Sequence, residues 1–191
     1  MSMKDSSATY GLITIVLHWL MAVIIIAMFV LGKYMIGLDY YDPFYHTGPW
    51  WHKSIGLIVI SLLIFRIIWK FSNQKVAEIE SHTVTEIKLA QLVQISLYLL
   101  MISCCISGVM ISTAEGAAIG FFDLFAVPAI ISLGEAQAEL AADIHEYSTL
   151  ALIILAALHM LAAMKHHFID KDTTLIKILK INNNTEELHE K

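Results

Sequence analysis

Residues 144–178 read IHEYSTLALIILAALHMLAAMKHHFIDKDTTLIKI. From His145 to Met164 the only formal charge is Glu146, which is the length and polarity of a helix crossing a hydrocarbon layer about 30 Å thick. Two imidazoles interrupt this apolar run. His145 and His159 are 14 residues apart, so on a helix they share a face within about 40° and lie about 21 Å apart along the axis. One helix thus offers two nitrogen ligands at two depths.

The rest of the chain follows the same pattern. Of 191 residues, 58% are apolar and 15% charged, with a mean hydropathy of +0.69, too apolar for water to be the only solvent. Three further runs have spanning length: Gly11–Leu31, His52–Trp69 and Leu89–Ser112. Because backbone polar groups cannot go unpaired in lipid, each run is expected to be a helix, giving an all-α membrane protein, a bundle of four transmembrane helices over 1–180. Everything between the spans reads as loop, and the polar stretch 181–191, INNNTEELHEK, as a disordered tail. The first run follows a single Lys4 and is too long for a signal-peptide core, so it is expected to stay in the membrane. Cys104 and Cys105 are adjacent, where a mutual disulfide would be strained, and read as packing residues. A net charge of −5 with no basic stripe excludes nucleic acid as a partner and leaves membrane lipid.

Lys and Arg near the span ends set direction. The second connection and its flanks carry Arg66, Lys70, Lys75 and Lys88, and the C-terminal segment Lys165, Lys171, Lys177 and Lys180, whereas residues 113–144 have none. Both termini are therefore expected in the cytoplasm. The outward third connection holds Glu115, Asp123, Glu135, Glu139 and Asp143, and this acidic face works against attracting an anion. The nearest outer cations are Lys33 and Lys53. Lys53, beside His52, suits either a carboxylate or anion contact or a snorkelling role. Trp50, Trp51 and Trp69 fall at span ends, where the headgroup layer favours them.

An ionisable side chain in hydrocarbon is costly, and four histidines need explaining: His18, His52, His145 and His159. With the chain running alternately inward and outward, His52 and His145 fall near the outer surface and His18 level with His159 near the inner one. Two levels, each with two imidazoles from different helices, is the ligand set for two six-coordinate haems. A zinc or copper site needs ligands converging within a few ångströms, which two ligands about 21 Å apart do not provide. A haem-free proton relay through His18 and His159 stays open as a third class. The third span has no histidine and reads as wall, with Gly108 allowing close approach of a flat ring or a neighbouring backbone.

The residues IVLHWLMA around His18, WWHKSIGLIVISLLIFRIIWK around His52, SGVM at Gly108, FFDLFAVPAI in the third connection and the segment quoted at the outset together resemble the bacterial cytochrome b561 family. The resemblance covers nearly the whole chain. It implies a stand-alone cytochrome of the bacterial inner membrane with two b-type haems as cofactors, held by His18 with His159 and by His52 with His145. It implies electron exchange with ubiquinone, and for one type in the family a superoxide oxidase activity on the periplasmic side. The electron donor is then a small molecule or a protein. The alternative is a haem-bearing membrane anchor for a partner redox enzyme, as in the longer hydrogenase cytochromes of similar pattern. Arg66 is a candidate partner for a haem carboxylate, because guanidinium pairs with carboxylates in two-pronged fashion. His166 lies seven residues past His159, within about 20° of the same face. It is a candidate contact for a quinone headgroup, while His167 points elsewhere.

Overall fold

Of the four long helices, the third begins on a side-chain cap, whereas the first, second and fourth start without one. The capping residue is Thr83, whose hydroxyl accepts from the Glu86 amide while the Glu86 carboxylate accepts from the Thr83 amide, a reciprocal cap at the start of the third helix. The computed structural model describes residues 2–79, 81–129 and 132–179. Its long helices are α1 (Leu12–Ile36), α2 (Thr47–Ser72), α3 (Val84–Thr113) and α4 (Glu135–Phe168), all apolar and long enough to cross a membrane. Each outruns its apolar stretch. The 34 residues of α4 make a rod of about 51 Å against a hydrocarbon core of about 30 Å, so the helix continues through the polar layer, where side chains find water. The expected tail 181–191 lies outside the described residues.

The sequence reading assigned all else to loop, and two short elements correct it. Strands β1 (Ile119–Phe121) and β2 (Phe125–Val127) pair antiparallel in the third connection. The helix α5 (Thr174–Leu179) follows α4. The hairpin lacked an Asn-Gly or Asp-Gly signal. Its turn instead forces Phe122 and Asp123 to φ of 45° and 58°, and tertiary bonds hold it there. The Ser54 hydroxyl donates to the Gly120 carbonyl and accepts from the Phe122 amide, and the Trp50 indole donates to Asp123. The hairpin is thereby fixed on α2 two residues beyond His52. The α5 end is tied by the Trp19 indole, which donates to the Ile178 carbonyl, and by Lys177, which donates to the Ala77 carbonyl.

The helices associate mainly as two antiparallel pairs, α1 with α2 and α3 with α4, which meet one another more sparsely. Small residues make the close contacts: Ser54, Ser107, Ser148 and Ala141 are buried, as expected where backbones approach without a hydrophobic driving force. Large apolar side chains such as Val23, Ile26, Val30, Leu99 and Leu158 face outward, a surface suited to lipid and not to water. Cys104 and Cys105 are free thiols.

Candidate functional site

The two histidines expected at the outer level face each other across the two helix pairs. The rings of His52 on α2 and His145 on α4 have centroids 6.2 Å apart and planes at 76°. With metal–nitrogen bonds of about 2 Å and ring radii of about 1 Å, two imidazoles on opposite sides of one iron place their centroids about 6 Å apart. The spacing is that of a bis-imidazole clamp.

The surroundings of His145 agree with that geometry. Its Nδ1 lies 3.0 Å from the Cys104 carbonyl and 3.2 Å from the Ser107 hydroxyl, whose own proton goes to Ser103. A ligating histidine usually donates its second ring N–H to such a carbonyl, leaving Nε2 to the metal. Ser148 and Thr149 donate to the His145 carbonyl and fix the backbone. Among the described residues the Nδ1 of His52 is buried with no hydrogen-bond partner. Glycines line the pair. A Cβ at Gly108 would stand 3.2 Å from His145 Cε1, and one at Gly32 would stand 3.4 Å from His52 Cε1. Gly108 thus makes room for the His145 ring. Lys33 and Glu146, next to Gly32 and His145, form a half-exposed ion pair of 2.9 Å that ties α1 to α4. Such exposed pairs contribute at most about 1 kcal/mol.

The inner pair is arranged differently. His18 and His159 lie within Coulombic reach of each other and of Arg66. Among the described residues they lack the ring-to-ring approach of His52 and His145, and a guanidinium stands beside His18. Arg66 donates to the Tyr98 hydroxyl at 3.0 Å, and its Nη2 is 3.3 Å from His18 Nδ1. Arginine has no acceptor, so it holds His18 Nδ1 as an unprotonated nitrogen. Iron at Nε2 of neutral His18 would require the proton on Nδ1. Were iron held at Nε2 of His18 with the proton on Nδ1, this contact would have to be given up, which would leave the Arg66 guanidinium available to a haem carboxylate. Tyr98, which also lies under Lys70 at 4.8 Å, was missed in the sequence because one tyrosine in an apolar run carries no signal. The residues present therefore fit b-type haem at the outer level directly and at the inner level with this exchange.

His166 departs from its expected setting. Its ring lies 4.6 Å from that of His82, and its Nδ1 is 2.8 Å from Asp170 Oδ2 and 3.2 Å from Asp172 Oδ2. The sequence placed it facing the inner haem; here Nδ1 lies directly against carboxylates at the wall of a polar cavity of about 370 Å³. His82, treated in the sequence as an ordinary loop residue, donates from Nε2 to the Asp172 carboxylate at 2.8 Å. Burial alone would raise the Asp172 carboxyl. Hydrogen bonds from Thr174 and His82 outweigh it and hold the group at about 2, below its ordinary 3.8. The sign is that of a depressed acid: the stabilisation is complete above the ordinary value and disappears as pH falls towards about 2. At the other end Lys53 lines a cavity of about 490 Å³ with Tyr45, His46 and Trp50.

Comparison with known proteins agrees with these features. A family model described as prokaryotic cytochrome b561 matches residues 9–180. The chain is 38% identical over 179 residues to "Cytochrome b561 homolog 2" of Escherichia coli (strain K12), covering 94% of this chain and 95% of that protein. It is 27% identical over 170 residues to "Cytochrome b561 homolog 1" of the same organism, covering 86% and 93%.

Proposed function

The chain belongs to the prokaryotic cytochrome b561 family, whose members are membrane proteins that carry electrons on b-type haem, and from that membership we propose a dihaem electron carrier of the bacterial inner membrane. It links a periplasmic donor, superoxide being one candidate, to the ubiquinone pool. The observation that carries the reading is the opposed His52 and His145 rings at 6.2 Å, with Nδ1 of His145 bonded to a carbonyl. In this reading His52 with His145 and His18 with His159 each hold one haem, both termini are cytoplasmic, and Arg66 pairs with a haem carboxylate.

When bound, b-type haem supplies reversible one-electron iron chemistry. The polypeptide supplies the rest. Cys104 and Ser107 orient His145 and make it a better donor, and Arg66 contributes a positive charge at the level of His18 and His159. Arg66→Gln is expected to lower the midpoint potential of the inner haem by on the order of 50 mV, about 1 kcal/mol of lost charge interaction, and to leave the outer one in place. A spectroelectrochemical titration checks this.

Quinone reduction requires protons as well as electrons. His166, with one nitrogen against Asp170 and Asp172, is suited to pass a proton from the cytoplasmic face to a quinone oxygen through its other nitrogen. His166→Ala is expected to retain both haems and slow quinone reduction roughly a hundredfold. An unchanged rate would remove His166 from the mechanism. The whole reading is tested by stopped-flow mixing of oxidised protein with superoxide and, separately, with ubiquinol. Rapid appearance of the reduced haem spectrum with one of them identifies the partner, and reduction by neither refutes a quinone-linked carrier.

A further inference from the structure

The cluster at the inner end of α4 contains more ligating atoms than proton transfer needs. His82 Nε2, His166 Nδ1 and an Asp172 carboxylate oxygen lie within 4.8 Å of one another, and the three side chains are 15%, 16% and 6% exposed. They come from two separate places: the turn before α3, and the segment around the end of α4. The left-handed residue Lys171 (φ 56°) turns the chain so that Asp170 and Asp172 both come back beside His166, and the Asp172 amide donates to the His166 carbonyl. Thr174 occupies Asp172 Oδ1 through its amide, leaving Oδ2 directed at the two imidazoles.

Hydrogen bonding does not exhaust this arrangement. Asp172 Oδ2 is bonded to His82, but His166 Nδ1 is buried without a hydrogen bond, although two carboxylate oxygens stand 2.8 and 3.2 Å away. The oxygens are near but not along the N–H direction. A cation in the space between them would satisfy both rings and the carboxylate at once. We propose that His82, His166 and Asp172 form a binding site for a divalent transition-metal cation of the zinc class, which clips the turn after α4 to the start of α3. Two imidazoles and one carboxylate suit such an ion better than magnesium or calcium, which prefer all-oxygen shells. The adjoining cavity leaves space for water as a further ligand. Lys165, 2.6 Å from Asp170 Oδ2, keeps that second carboxylate neutralised, so Asp170 is not assigned to the set.

The site shares His166 with the proposed proton path, and it is tested by metal binding alone, with no quinone in the assay. Full-length, haem-loaded protein in detergent is titrated with Zn²⁺ by isothermal calorimetry, with Mg²⁺ as the contrasting ion. One saturable equivalent of Zn²⁺ per chain is expected, with no response to Mg²⁺. His82→Gln and Asp172→Asn are each expected to weaken binding at least about tenfold, with the haem spectrum unchanged, while His167→Gln binds as the unaltered chain does. X-ray absorption at the zinc edge is expected to record two imidazole ligands. Absence of saturable binding, unchanged affinity in both cluster variants, or an equal loss in His167→Gln would overturn the site.

Discussion

His52→Ala is expected to halve the haem content of the purified protein, from two per chain to one, as measured by pyridine haemochromogen absorbance against polypeptide mass. The reason is geometric. At 6.2 Å between centroids, His52 and His145 are placed as opposite axial ligands. His145, held by Cys104 and Ser107, stays in place but offers one ligand only. Any residual outer haem becomes five-coordinate, and its spectrum changes from low to high spin. Added imidazole fills the vacated volume and restores the six-coordinate spectrum, a rescue that a misfolded bundle would not give. Because His18 and His159 lie at the other depth, the remaining haem keeps its potential. Two haems with an unaltered low-spin spectrum in His52→Ala would refute the pairing.

Why the approach of His52 to His145 could be read from sequence while the settings of the histidines could not is a matter of which interactions are periodic. The span lengths and the 14-residue spacing of His145 and His159 are consequences of helix geometry, and four long apolar helices follow from them. Depth then matched His52 to His145, the pair the structure brings together. The Arg66 contact with His18, the Tyr98 hydroxyl on Arg66 and the meeting of His82 with His166 each join distant parts of the chain, with no local pattern to mark them. The hairpin 119–127 was hidden for a similar reason: its turn is held in a left-handed conformation by Trp50 and Ser54, not by glycine or asparagine at the turn. His166 shows the limit of facial reasoning. Its angular position on α4 was a matter of spacing, but the aspartates that claim its Nδ1 come from a reversal of the chain that periodicity does not describe.

Gly108→Val separates the space a ligand needs from the ligand itself. Glycine inside a helix is unfavourable by up to about 1 kcal/mol relative to alanine, so on propensity alone a side chain here should do no harm to α3. Packing predicts the opposite. The first added carbon would stand 3.2 Å from His145 Cε1 and 3.4 Å from Nδ1, closer than ordinary van der Waals contact, and the ring cannot withdraw without losing its bonds to Cys104 and Ser107. Alanine asks for a shift of a few tenths of an ångström; the two methyls of valine ask for much more. The ring must then rotate out of opposition with His52, and a clamp loses affinity steeply with misalignment of one ligand. Gly108→Val is therefore expected to lose most of the outer haem, on the order of tenfold or more in occupancy, with all four histidines present. Gly108→Ala is expected to retain that haem with an altered potential. Gly56→Ala provides the contrast, since a Cβ there meets only Met28 Cε at 3.9 Å and both haems should remain. Should Gly108→Val hold two haems with unchanged spectrum and potentials, the His145 ring does not occupy the position from which the clamp is argued.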